Sequence, residues 1–122
     1  MKWLALLVAT LVLPLASAAP AAPAHAEIEL LLHHLKGLDG AVFLRNGSEH
    51  AAGEAESHLR LKWEKQAARI RTAEDFIALC GTKSSLSGER YRIRFKDGRV
   101  RDSADVLTEE LTRLRRQSAT RP

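Results

Sequence analysis

Cysteine is almost absent from this chain. The single Cys80 excludes an internal disulfide, so the fold has to rest on packing and hydrogen bonds. It also leaves no cysteine near the N-terminus for lipid attachment. Long apolar runs are missing too. The uncharged stretch that opens at Trp3 is interrupted by Pro14, whereas a bilayer-crossing helix needs about 20 apolar residues. There is no internal repeat and no Gly-x-Ser-x-Gly nucleophile elbow. A chain of 122 residues carries enough material for one small core of modest stability.

The N-terminus has the layout of a secretory signal. Met1 and Lys2 form a positive start, an uncharged run follows, and small residues lead to two Ala-x-Ala sites, Ala16-Ser17-Ala18 and Ala24-His25-Ala26. Residues 1–26 are therefore expected to be a signal peptide, with cleavage after Ala26 ahead of cleavage after Ala18. The product would be periplasmic or secreted, with no stable membrane anchor after cleavage. That compartment argues against nucleic acid as the partner, despite a sequence pI of 9.6 and a net charge of +4. The charge is uneven: residues 27–89 hold 8 basic and 10 acidic side chains, and residues 90–122 hold 10 basic and 5 acidic.

Hydrophobic spacing then orders the elements. Ile28, Leu31, Leu32, Leu35 and Leu38 recur at helical intervals after Glu27. Ala41 to Leu44 reads as a short buried strand ended by the turn dipeptide Asn46-Gly47. Ser48 is expected to cap a second helix, which projects Ala52, Ala55, Leu59, Trp63, Gln66, Ala67 and Ile70 onto one face and Leu61 onto the other. Thr72 offers a fresh cap for a third helix over residues 73–80, with Phe76, Ile77 and Cys80 inward. A Ser/Gly-rich loop over residues 83–88 precedes alternating Tyr91, Ile93 and Phe95, a strand with one buried face. Asp97-Gly98 suits a two-residue hairpin. Ser103 opens a last helix with Val106, Leu107, Leu111 and Leu114 inward, and residues 117–122 read as a frayed tail. The expectation is a single α+β domain over residues 27–116, with about four helices and a small antiparallel β-sheet, helices two and four covering its apolar face.

Several blocks carry a resemblance. Phe43-Leu44-Arg45-Asn46-Gly47, Glu49-His50, His58-Leu59-Arg60-Leu61-Lys62, the run from Arg69 to Ile77, and Ser84-Ser85-Leu86-Ser87-Gly88 leading to Tyr91 occur in one order. Together they resemble the YfeK-like family of small exported bacterial proteins, a domain of unknown function. The likeness covers most of residues 43–91 and weakens in the last helix, where Val106 stands in place of an aromatic beside Leu107. It implies export and an envelope location. It implies no activity.

Four constellations could carry chemistry. His50, Glu54 and His58 are spaced i, i+4, i+8, but the outer pair would lie about 12 Å apart along a helix, too far to share one ion. A solvated flank with Glu54 beside histidine is the plainer reading, and no metal or cofactor is expected. Second, His58 with Glu54 or with a loop serine (Ser84, Ser85 or Ser87) could form an envelope hydrolase, although serine clusters mostly cap and turn. Third, the Ser-Gly-x-x-Tyr run within residues 84–91 is faintly like the loop of periplasmic lysozyme inhibitors. Fourth, a two-residue hairpin would pair Lys96 with Arg99 and Arg94 with Arg101. That would gather Arg92, Arg94, Lys96, Arg99 and Arg101 on one face. Like charges in that arrangement need acidic compensation, from the fold itself or from an anionic envelope component or acidic protein. Arg45, beside the turn, either pins the loop or meets a carboxylate. The leading expectation is a non-enzymatic envelope binding module using the basic hairpin face.

Overall fold

A computed structural model describes residue 9 and residues 22–121. Most of the expected signal peptide lies outside the described residues. Four helices pack on one side of a four-stranded antiparallel sheet. In chain order the elements are α1 (Ala22–Lys36), β1 (Val42–Arg45), β2 (Ser48–His50), α2 (Ala52–Lys65), a 3-10 turn (Ala67–Arg69), α3 (Ala73–Cys80), β3 (Arg92–Arg94), β4 (Val100–Asp102) and α4 (Ser103–Ala119). The strand order is β2-β1-β3-β4. This is the expected α+β class.

The helix nearest the N-terminus lies at the centre of the core. Ile28, Leu31, Leu32 and Leu35 sit on one stripe and are all buried, because α1 packs against α2, α3 and α4 together. It starts at Ala22, ahead of the expected Glu27, so the Ala24-His25-Ala26 site lies in its first turns. There the His25 ring lies tilted against Trp63 with ring centroids 5.0 Å apart, and Trp63 meets Phe76 edge-on. Phe43 and Ile93 supply the sheet's share of the core. Helix α2 packs on β1 and α4 on β4. Helix α4 continues to Ala119 rather than fraying from Gln117. Among the described residues, no helix is long and apolar enough to cross a membrane.

Local chemistry explains where α3 starts and stops. The Thr72 hydroxyl accepts the Asp75 backbone N–H at 3.0 Å, and the Asp75 carboxylate accepts the Thr72 N–H at 3.3 Å, a reciprocal capping box. After Cys80 the chain passes so close to α4 that a Cβ on Gly81 would meet Leu107 Cδ1 at 2.6 Å. Cys80 itself is fully buried, and burial pushes its thiol up to about 11.

Two turns depart from expectation. Asn46 and Gly47 have φ of 51° and 76°, the pair of left-handed residues that a two-residue hairpin needs. The chain therefore doubles straight back, Arg45 pairs with Ser48, and Ser48–His50 forms a strand. Ser48 caps no helix, and α2 begins after Ala51 with no side-chain cap.

The second hairpin has a three-residue loop, not two. Phe95 N–H donates to the Arg99 carbonyl at 2.8 Å, Gly98 N–H donates to the Phe95 carbonyl at 2.9 Å, and Gly98 takes a φ of 91°. That is a tight turn followed by a left-handed glycine. Arg94 thus pairs with Val100, and Ile93 with Arg101. A shift of one residue turns every side chain of a strand to the opposite face.

The two caps separate in their consequences. Thr72→Ala is expected to lower stability by about 1 kcal/mol, and Ser48→Ala, which removes no cap, by clearly less; urea denaturation of both variants measures this. A thiol-specific reagent is expected to label Cys80 only after denaturation, and rapid labelling of the folded protein would contradict its burial.

Candidate functional site

The register of β3 and β4 decides the first candidate. Arg92 and Arg94 share the outer face of the sheet with Val100 and Asp102, while Arg101 lies on the opposite face with Ile93. The expected single basic face is therefore divided. Each of its arginines also meets an acid from the fold. Arg92 lies 3.6 Å from Asp102, which Arg90 also reaches at 3.1 Å. Arg94 bonds Glu49 across the sheet at 2.7 Å, and Arg99 bonds Asp97 within the turn at 2.7 Å. Arg101 forks onto Glu109 of α4 at 2.5 and 2.8 Å. Lys96 stays exposed, its aliphatic stem laid over Gly40. The compensation that like charges demand comes from inside the molecule.

The remaining two residues of interest, Arg45 and His58, meet in a cleft of about 190 Å³ between α2 and the inner face of β1 and β2. Leu35, Phe43, Ala55 and Leu59 form its apolar wall. The alternation of β1 turns Phe43 and Arg45 to the same side, and the Asn46-Gly47 hairpin brings His50 opposite Phe43. From α2, His58 faces the strand. Arg45 donates from Nη1 to His58 Nδ1 at 2.7 Å. That nitrogen is then unprotonated, so the other ring nitrogen carries the proton and donates from Nε2 to Tyr91 Oη at 3.1 Å.

The sequence placed Tyr91 only on the buried face of a strand and in the Ser-Gly-x-x-Tyr run, and it did not single out Lys62 for this site. Lys62, one turn beyond His58 on α2, is only 9% exposed, and its Nζ donates to the Lys83 carbonyl at 3.0 Å and to Tyr91 Oη at 3.2 Å. The signal was available in the i, i+4 relation of His58 and Lys62, which puts both on one stripe. Tyr91 accepts from both His58 and Lys62, which occupies its two lone pairs and leaves its own O–H proton without an acceptor among the described residues.

The electrostatics of this chain of contacts are one-sided. Burial, then the nearby Arg45 and Lys62 charges, push His58 down from 6.5 to about 4, so the ring is neutral at pH 7. Four arginines of the fold are half-buried: Arg45, Arg60, Arg94 and Arg101. Arg60 is clamped by Glu29 and Glu56, Arg94 by Glu49, and Arg101 by Glu109. Arg45 alone has no carboxylate among the described residues; its one side-chain partner there is the His58 ring.

The other constellations dissolve into local structure. His50 lies on β2, not on a helix, and its Nδ1 meets Glu54 Oε2 at 3.1 Å. Its Nε2 is buried and has no hydrogen-bond partner among the described residues. His58 does not bond Glu54, since Arg45 and Tyr91 take both of its nitrogens. Among the described residues, no group of three or more His, Cys, Asp or Glu side chains is placed to hold a metal ion. Ser84 is spent on structure: its hydroxyl accepts from Asn46 Nδ2 at 3.1 Å and from the Leu86 N–H at 3.2 Å. Ser87 bonds the same Asn46. The loop they fix does protrude, with Leu86 95% exposed at its tip. Tyr91, the aromatic of the Ser-Gly-x-x-Tyr run, points into the fold and is only 7% exposed.

The pH dependence follows from His58. The unfolded chain takes up a proton there as pH falls through about 6.5, and the folded protein does not until about 4. Stability contributed by the neutral ring is therefore complete above pH 6.5 and lost progressively between 6.5 and 4. The depressed carboxylates, Glu29 and Glu110 among them, start from 4.5 and so overlap only the lower end of that window. His58→Gln is expected to flatten the fall in stability between pH 6.5 and 4.5, read by denaturant midpoints across that range. Ring nitrogen shifts in NMR are expected to show His58 protonated at Nε2 alone at pH 7.

A model of a family of unknown function, DUF5329, matches residues 22–115. The chain is also 42% identical over 66 residues to the Uncharacterized protein YfeK of Salmonella typhimurium (strain LT2). That match covers 54% of this chain and 55% of the relative, so the chain aligns with about half the relative's length. No solved structure matches. The family match spans the sheet, the first three helices, most of α4 and the cleft between α2 and β1, and the chain belongs to DUF5329, a YfeK-like family of unknown function.

Proposed function

We propose that this protein is a non-enzymatic binding protein of the bacterial envelope whose cleft takes a small anion at Arg45. The observation that carries this reading is the one half-buried arginine that meets no carboxylate among the described residues. A guanidinium withdrawn from water without an opposite charge is costly, and an anion arriving from solution removes that cost. Among the described residues, Lys62 adds a second buried cation that meets no acid, and Tyr91 adds an O–H with no acceptor. A planar guanidinium favours an oxyanion held by two parallel N–H bonds.

The envelope location rests on the N-terminal layout. Cleavage after Ala18 would keep the turn that sets His25 on Trp63, whereas cleavage after Ala26 would remove it. Binding of an anionic polymer through the hairpin draws little support from a face whose arginines are divided by register and matched by Asp102, Glu49, Asp97 and Glu109. Hydrolysis draws little from a neutral His58 with both nitrogens engaged.

The test is a titration with acetate, benzoate and inorganic phosphate, followed by amide and guanidinium NMR shifts. At least one of these anions is expected to shift Arg45, His58 and Tyr91 saturably. Arg45→Met is expected to weaken that binding about tenfold or more. Arg94→Glu/Arg101→Glu is expected to leave it unchanged. Shifts centred on the hairpin, or insensitive to Arg45→Met, would overturn the reading.

A further inference from the structure

Three features of the cleft, taken with the anion reading on which this inference rests, narrow the ligand. The first is His50. Its Nδ1–H faces Glu54, so in the neutral ring Nε2 is an acceptor, and that acceptor is buried without a donor. A buried acceptor left unmade costs free energy, and a ligand donor recovers it. The second is spacing. Arg45 pairs with Ser48 across the hairpin, and His50 lies two residues further along β2 on the same face. The backbones of such diagonal neighbours are about 7–8 Å apart, and both side chains line the one cleft, so a compact ligand can lie between them.

The third feature is the space between them. The cleft holds about 190 Å³ against Leu35, Phe43, Ala55 and Leu59. An apolar cavity of about 150 Å³ admits benzene, whereas pockets for drug-sized ligands start near 300 Å³. The occupant is therefore compact, with an apolar body. Glu54 also lines the cleft, and its negative charge opposes a dianion such as phosphate.

We propose that the cleft is a site for a compact hydroxylated carboxylic acid. The carboxylate lies on the Arg45 guanidinium and takes the Tyr91 O–H. The ring or branched body packs on Phe43, Leu35 and Leu59. A hydroxyl at the far end donates to His50 Nε2. No bond is made or broken; the chemistry is recognition alone.

The experiment compares three probes, 4-hydroxybenzoate, benzoate and inorganic phosphate, against the wild-type chain, His50→Phe and Arg45→Met, by calorimetry at neutral pH with NMR spectra as a check on folding. The wild type is expected to bind 4-hydroxybenzoate about two- to tenfold more tightly than benzoate, the worth of one hydrogen bond, and phosphate least. His50→Phe is expected to bind the two acids equally while still binding benzoate. Arg45→Met is expected to lose both. Equal binding of the two acids by the wild type, or a preference that survives His50→Phe, would overturn the hydroxy acid and leave the anion reading in place. Tightest binding of phosphate would overturn the carboxylate class alone. No Arg45-dependent binding of any probe would overturn both.

Discussion

Two consecutive left-handed residues, Asn46 and Gly47, set the geometry on which the candidate site depends. A two-residue turn leaves the returning strand only one register. That register turns Phe43, Arg45 and His50 to the inner side and sends Leu44 and Glu49 outward, where Glu49 meets Arg94. The same Asn46 side chain reaches Ser84 and Ser87, 38 and 41 residues along the chain. A dipeptide with no charge and almost no apolar surface thus positions both the cationic cleft and the neighbouring loop.

Charge compensation divides the molecule into two kinds of surface. On the hairpin, and at Arg113 and Arg115 of α4, arginines meet acids from the fold, and the pairs exposed on both sides contribute little to stability. Their effect is to cancel a field that the excess of basic residues after position 89 would otherwise create. Around His58 the matching stops. Arg45 and Lys62 face the imidazole and the phenol in place of carboxylates, and burial, reinforced by these two charges, strips the ring of its proton. Net charge alone points to the hairpin, while the half-buried arginine that meets no carboxylate among the described residues is in the cleft.

Much of the fold was legible because it follows from spacing. The α1 leucines, the Thr72 cap with Asp75, the inward Phe76, Ile77 and Cys80, and the α4 stripe are all one-dimensional patterns that packing then obeys. What escaped depends on counts of one residue or on partners far away. Ser48-Glu49-His50 has no apolar alternation, so its place beside β1 is set by the turn and not by its own composition. Asp97-Gly98 marks a turn correctly, yet whether its loop holds two residues or three is settled by how β4 must lead into α4, and that single residue moved Arg101 across the sheet. Arg45 and His58 were recognised separately. Their meeting, and the burial of Lys62 behind them, needed α2 to cross β1, which no local pattern encodes.

The central position of α1 has a consequence for the order of events in folding. Its buried stripe is covered in part by α4, and Glu27 on α1 is bonded to Arg115, 88 residues away in the chain. The helix made first is thus completed by the helix made last. A growing chain without α4 leaves part of the α1 stripe uncovered, and closing so long a loop carries an entropic cost before any contact rewards it. The domain is therefore slow to lock until its whole length is present, which suits a polypeptide that the proposed route would carry across a membrane unfolded.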